Sequence, residues 1–104
     1  MNIADRHQEY ELEIKALFAR HRVSFTADLD GGAFHGTASG MGTKIEVQGG
    51  FDPSGRFSFP ADAVLPVGTF HAQAELQVDG SGNVRGTVGE PGKKPLAVTG
   101  RRTA

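Results

Sequence analysis

Residues 1–21 read MNIADRHQEYELEIKALFARH, and the reading of this stretch decides what the rest of the chain must pack against. Ile3, His7, Tyr10, Ile14, Leu17, Phe18 and His21 recur at three- and four-residue steps, which predicts an amphipathic helix with one apolar stripe. Asp5, Glu9, Glu13, Lys15 and Arg20 fall mostly on its other side. Asn2 or Asp5 suits its start, and Arg20 and Arg22 suit the negative end of its dipole. The helix is expected to end near residue 21, which makes residues 1–22 a helical segment on or beside the remainder of the chain.

From residue 23 onward the period is two. In VSFTADLD, Val23, Phe25, Ala27 and Leu29 alternate with Ser24, Thr26, Asp28 and Asp30, the pattern of a half-buried strand. Asp30-Gly31-Gly32 is a turn signal, and the next strand carries Phe34 inward and His35 outward. TKIEVQ, RFSF and TFHAQAELQV alternate in the same way, and NVRGTV and PLAV complete the set. Two turns share a chemistry: Asp52-Pro53-Ser54-Gly55 and Asp79-Gly80-Ser81-Gly82-Asn83 each offer an aspartate to bond forward and a glycine for positive φ.

The run GRFSFP, ADAVLPVG, TFHAQAEL resembles the D-x-x-G-x-F-x-F…L-x-x-G-x-Y/F pattern of carboxypeptidase-regulatory-like modules, a transthyretin-like β-sandwich family. HGTASG and TKIEVQGG are similar to that module's earlier strands, and NVRGTVGEPGKKPLAV resembles the hairpin with which such modules begin. The resemblance spans roughly residues 35–99, with the opening hairpin placed last and the amino-terminal helix foreign to the pattern. It implies a structural or recognition module, with no catalytic residues to carry over.

The expected fold is therefore mainly β with one amino-terminal helix. It has residues 23–100 in a six- to seven-stranded antiparallel sandwich, rolled sheet or small barrel, and 101–104 as a basic tail. A 19-residue helix is about 28 Å long and covers four or five strands. Seven strands then leave apolar area uncovered unless the sheet rolls up or a second subunit covers it, which points to a rolled sheet or a homodimer.

Composition removes several activities. The absence of cysteine excludes disulfides, thiolate metal sites and thiol nucleophiles, and suits a cytoplasmic location. The amino terminus lacks the apolar core of a signal peptide, and no run approaches the roughly 18 apolar residues of a membrane helix. A net charge of −1 and inward phenylalanines speak against nucleic acid. No G-x-S-x-G elbow and no phosphate-binding glycine loop occurs.

Three sets of residues remain. Tyr10, Ile14 and Phe18 on the helix stripe are candidates for binding a partner chain. Lys93, Lys94, Arg101 and Arg102 form a basic carboxyl-terminal end suited to an acidic partner. His35 and His71, in the repeated contexts GAFH and GTFH, have Glu75 as a third ligand for zinc if their strands are neighbours. The expected function is a small soluble non-enzymatic module acting through protein–protein contacts, without a cofactor. The alternatives are a barrel holding a small apolar ligand between its inward Ala and Gly residues, and a metal-dependent enzyme on the histidine face.

Overall fold

The computed structural model describes residues 6–15, 19–40, 42–65 and 68–104. These contain eight strands and no α-helix: β1 (His7–Lys15), β2 (Arg20–Asp30), β3 (Ala33–Gly40), β4 (Thr43–Phe51), β5 (Arg56–Leu65), β6 (Gly68–Val78), β7 (Asn83–Gly89) and β8 (Leu96–Arg102). Each strand pairs antiparallel with the next and β8 pairs with β1, so the sheet closes into an up-and-down barrel. The expected helix, the six or seven strands and the sandwich are corrected by this topology.

The helix fails for a reason written in its own residues. Gln8, Tyr10 and Leu12 are buried and Ile14 is half-buried, while His7, Glu9, Glu11 and Lys15 are exposed. That is strict alternation, and the helical stripe both omitted Leu12 and counted two histidines as apolar. Glu, Leu and Lys favour helices, but the propensity is worth only tenths of a kcal/mol per residue. Against it stand two complete ladders: β1 pairs with β2 from His7↔Asp28 to Lys15↔Arg20, and with β8 from Tyr10↔Arg102 to Lys15↔Ala97. A helix here would leave both flanking strands as open edges. The basic tail is corrected in the same way, because Arg101 and Arg102 complete β8. Beyond them, the Thr103 N–H donates to the Glu9 carbonyl at 2.7 Å and the Glu9 N–H to the Ala104 carbonyl at 3.0 Å.

Inside the barrel, bulk and absence of bulk are paired. Tyr10, Phe25, Phe34, Phe57 and Phe59 meet near one end, with centroids 5.0 Å apart for Phe34–Phe57 and 5.5 Å for Phe25–Phe57. Edge-to-face geometry at both contacts suits the ring quadrupoles, and each such pair adds about 0.5–1.5 kcal/mol to area burial. Opposite such bulk the wall carries glycine. A methyl group on Gly36, Gly86 or Gly100 would run into the carbonyl oxygen of Thr26, Glu75 or Glu11 on the neighbouring strand. These glycines let adjacent strands approach and coil, which a narrow closed barrel demands.

Closure also staggers the strands. The row through Ser58 runs by Glu75, Thr87 and Ala97 to Lys15, at the end of β1. The other way round it runs by Gly50 and Ala33 to Asp30, at the opposite end of the barrel. One seam is weaker than the rest: β4 and β5 pair only at Gly50↔Ser58 and Phe51↔Phe57. Pro60, which has no N–H to give, sits two residues past the last pair, while the β5–β6 ladder continues through it.

Candidate functional site

The topology gives the barrel two unlike ends. The lower end gathers the start of β1, the end of β8 and the turns at 31–32, 52–55 and 79–82; the upper end gathers the opposite strand ends and the 90–95 turn. The lower turns follow the expected chemistry. Asp52 Oδ1 accepts from the Ser54 N–H at 3.0 Å and the Arg56 N–H at 3.3 Å. Asp79 Oδ1 accepts from the Ser81 N–H at 2.8 Å and the Asn83 N–H at 3.0 Å. Gly55 and Gly82 take φ of 90° and 85°. The Ser54 hydroxyl and backbone donors hold the Asp52 carboxyl below its ordinary range, and the Asn83 and Ser81 N–H groups do the same for Asp79.

Aromatic rings fill the lumen at this end. Tyr10 is 3% exposed, its hydroxyl donates to Gln8 Oε1 at 2.5 Å, and burial raises its phenol above the usual range. Two open depressions of about 460 and 340 Å³ flank Arg102 there, but the Arg102 Nε–H already donates to the Ala104 carbonyl at 2.9 Å. Both lie between the lower turns, and the second is lined in part by Gln8, Tyr10 and Phe51 on the inward face.

The upper half is built differently. By alternation along their strands, Ile14, Ala38, Ile45, Ala61, Phe70, Ala72 and Val88 point inward, yet all are only partly buried. In a closed barrel an inward side chain meets water only where solvent reaches the lumen. Three of the seven are alanine and one, Phe70, is a ring, against the five rings packed together in the lower lumen. The upper rim is basic: Lys15, Arg20, Arg22, Lys44, Lys93 and Lys94 are exposed at the upper strand ends and the β7–β8 turn. Glu13 engages Arg20 at 3.5 Å and Glu90 engages Lys93 at 2.8 Å, while Lys15, Arg22, Lys44 and Lys94 have no acidic partner among the described residues. The Glu90 carboxyl is held below its usual range chiefly by its bond from Lys93, and the Lys93 amine is raised in return.

The sequence candidates are scattered by this arrangement. Tyr10 is core, Ile14 faces the lumen, and Phe18 lies outside the described residues. The basic carboxyl-terminal set divides, with Lys93 and Lys94 at the upper end and Arg101 and Arg102 about 20 Å away at the lower end of β8. His35 on β3 and His71 on β6 are separated by two strands. His71 instead meets Asp62 at 3.1 Å, and Glu75 accepts from the Ser58 hydroxyl at 2.9 Å. No group of three potential metal ligands comes together among the described residues. Missed from sequence were the His7–Asp28 contact at 2.6 Å, which raises the His7 pKa, and the basic rim itself.

The outer wall is polar, with Glu9, Glu11, Ser24, His35, Lys44, Glu46, Gln48, His71, Gln73, Gln77 and Arg85 exposed. A transmembrane barrel carries an apolar band on that face. Among the described residues no helix is long and apolar enough to cross a membrane. Neither a family model, a curated protein nor a solved structure matches the chain.

Proposed function

We propose that the protein is a non-enzymatic binding barrel that holds a small apolar or amphipathic molecule in the upper half of its lumen. One observation carries this reading: three of the inward positions near the upper end are alanines that remain only partly buried, whereas five rings pack together in the lower lumen. Eight strands enclose an interior that side chains can just fill or that can hold one small ligand, and here the two halves divide those options. Closure also changes the partner question. Tyr10 and Ile14, expected to offer a stripe to another chain, face the barrel's own interior, so the uncovered area that argued for a dimer no longer exists. The inward positions at the upper end are mostly apolar, although His21 and Thr43 stand among them.

Ala72→Phe tests the reading. A ring built into a packed core costs about 1–3 kcal/mol, whereas a ring built into vacant lumen costs little. The substitution is expected to leave the unfolding free energy from chemical denaturation within about 0.5 kcal/mol of the parent and to abolish uptake of dodecanol followed by heteronuclear NMR. Ala27→Phe, at a position 0% exposed, is the contrasting variant and is expected to destabilise strongly. Equal destabilisation by both would mean that the upper lumen is packed, and would end the proposal.

A further inference from the structure

We infer that the lower mouth of the barrel is a second binding site, for a free α-amino acid with an apolar side chain. Its carboxylate meets Arg102 and its ammonium meets Asp79. This goes beyond the reading above and does not depend on it, because the site lies at the opposite end of the lumen. The hollow of about 340 Å³ there has the volume of a small-molecule site, and barrel mouths are a preferred place for one. Gln8 and Tyr10 of β1, Phe51 at the end of β4, Val78 at the end of β6 and Arg102 of β8 line it, with parts of the 52–55 and 79–82 turns.

Arg102 decides the chemistry. It pairs with Tyr10 across β8–β1, and partners in an antiparallel ladder share a face, so its position is inward like that of the ring. Burial raises the Tyr10 phenol and the Arg102 charge works against that rise, so the guanidinium stands close to the hydroxyl. Its Nε–H is spent on the Ala104 carbonyl, which leaves the two Nη groups to grip a carboxylate. Covering the rings requires no charge at an inward position. Asp79 lines the same hollow, yet no ion pair joins the two residues. Asp79 Oδ1 accepts from the Asn83 and Ser81 N–H groups, and those bonds favour the ionised carboxyl. One cation and one anion therefore border one hollow without neutralising each other. A ligand that carries both charges a short distance apart satisfies both, whereas a lone anion or a lone cation meets one like charge. Half-buried Phe51 and Val78 offer apolar surface to its side chain, and Gln8, 8% exposed and bonded by the Tyr10 hydroxyl, adds a buried amide.

The experiment compares phenylalanine, hydrocinnamate, which lacks the ammonium, and phenethylamine, which lacks the carboxylate, by ¹H–¹⁵N NMR of the intact chain near neutral pH. Phenylalanine is expected to saturate one site and to shift the amides of Gln8, Phe51, Gly80 and Arg102. It should bind roughly five-fold more tightly than either analogue, as one exposed ion pair allows. In Arg102→Gln phenylalanine should bind no better than phenethylamine. In Asp79→Asn, which keeps an acceptor for the turn, it should bind no better than hydrocinnamate. A mouth that had simply unfolded would lose all three molecules, so retained binding of the analogues separates a lost contact from a lost fold. If hydrocinnamate binds as tightly as phenylalanine, or all three bind alike, the paired charges play no part and the inference is overturned. If no probe shifts these amides, the lower mouth only covers the rings and the inference falls. Shifts gathered at Ala38 and Ala72 instead would overturn it too, and would speak for the upper lumen alone.

Discussion

Phe57 shows how much rests on single side chains in this barrel. It is 0% exposed and meets Tyr10, Phe25, Phe34 and Phe51 with centroids between 4.6 and 5.9 Å. Truncation to alanine opens a hole lined by rings from four other strands, which cannot all collapse inward without breaking their own ladders. Phe57→Ala is expected to cost about 3–5 kcal/mol in chemical denaturation, and a loss under 1 kcal/mol would mean the ring is not core. The glycines make the complementary point. Gly86→Ala puts a methyl against the Glu75 carbonyl and within 2.9 Å of Leu76 Cα, both backbone atoms that can move only with their strand. A cost of about 1–3 kcal/mol is expected. Gly80→Ala, with nothing within 4 Å of the added methyl, is expected to change stability by less than about 0.5 kcal/mol.

At the scale of elements, the weak seam between β4 and β5 has a consequence for exchange. Along β4, amides bonded to β3 belong to a ladder running from Ala33↔Gly50 to Gly40↔Thr43, whereas those facing β5 above Gly50 have no such ladder. Hydrogen exchange along Lys44–Gly49 is expected to alternate, with every second amide protected. Uniform protection would mean that β5 closes the seam in solution. The same strands show what could be read beforehand and what could not. Alternation of apolar and polar residues placed Val23, Phe25, Phe34, Phe57, Phe59, Ala74 and Leu76 on the inner face, where each is buried. That signal is local, so a sequence carries it. β1 carried the same alternation in Glu9, Tyr10, Glu11, Leu12, Glu13 and Ile14, but helix-forming residues and two histidines at helical spacing outweighed it. What makes it a strand is its pairing with residues far along the chain, and no window of sequence contains that pairing. The rim escaped for a related reason: Lys15, Arg22, Lys44 and Lys94 are distant in sequence and come to one end of the barrel only because the strands run up and down.

For the molecule as a whole, pH acts on the turn carboxylates and on His7 in opposite senses. At the lower end Asp52 and Asp79 titrate below the ordinary carboxyl range when folded, because turn N–H and hydroxyl groups bond their ionised forms. A lowered folded pKa contributes stability that is present above the unfolded value near 3.8 and is lost as pH falls through the folded value. Glu90 behaves likewise at the upper end, and its protonation frees Lys93 to join a rim already rich in cations. Loss of the turn bonds and growth of rim repulsion therefore coincide on the acid side. His7 has the reverse sign: its pKa is raised chiefly by Asp28, so its contribution is present below 6.5 and is lost as pH rises through the folded value. His7, Asp52 and Asp79 are exposed and Glu90 is half-buried, so each effect is small and salt-sensitive. The melting temperature is expected to fall on the acid side of pH 4 and to shed a minor shoulder above pH 6.5. Asp52→Asn with Asp79→Asn should flatten the acid flank, and Asp28→Asn should remove the shoulder and return the His7 NMR titration towards 6.5. An acid flank unchanged in the double variant would place acid sensitivity in the rim, where Glu90→Gln would then be the substitution that moves it.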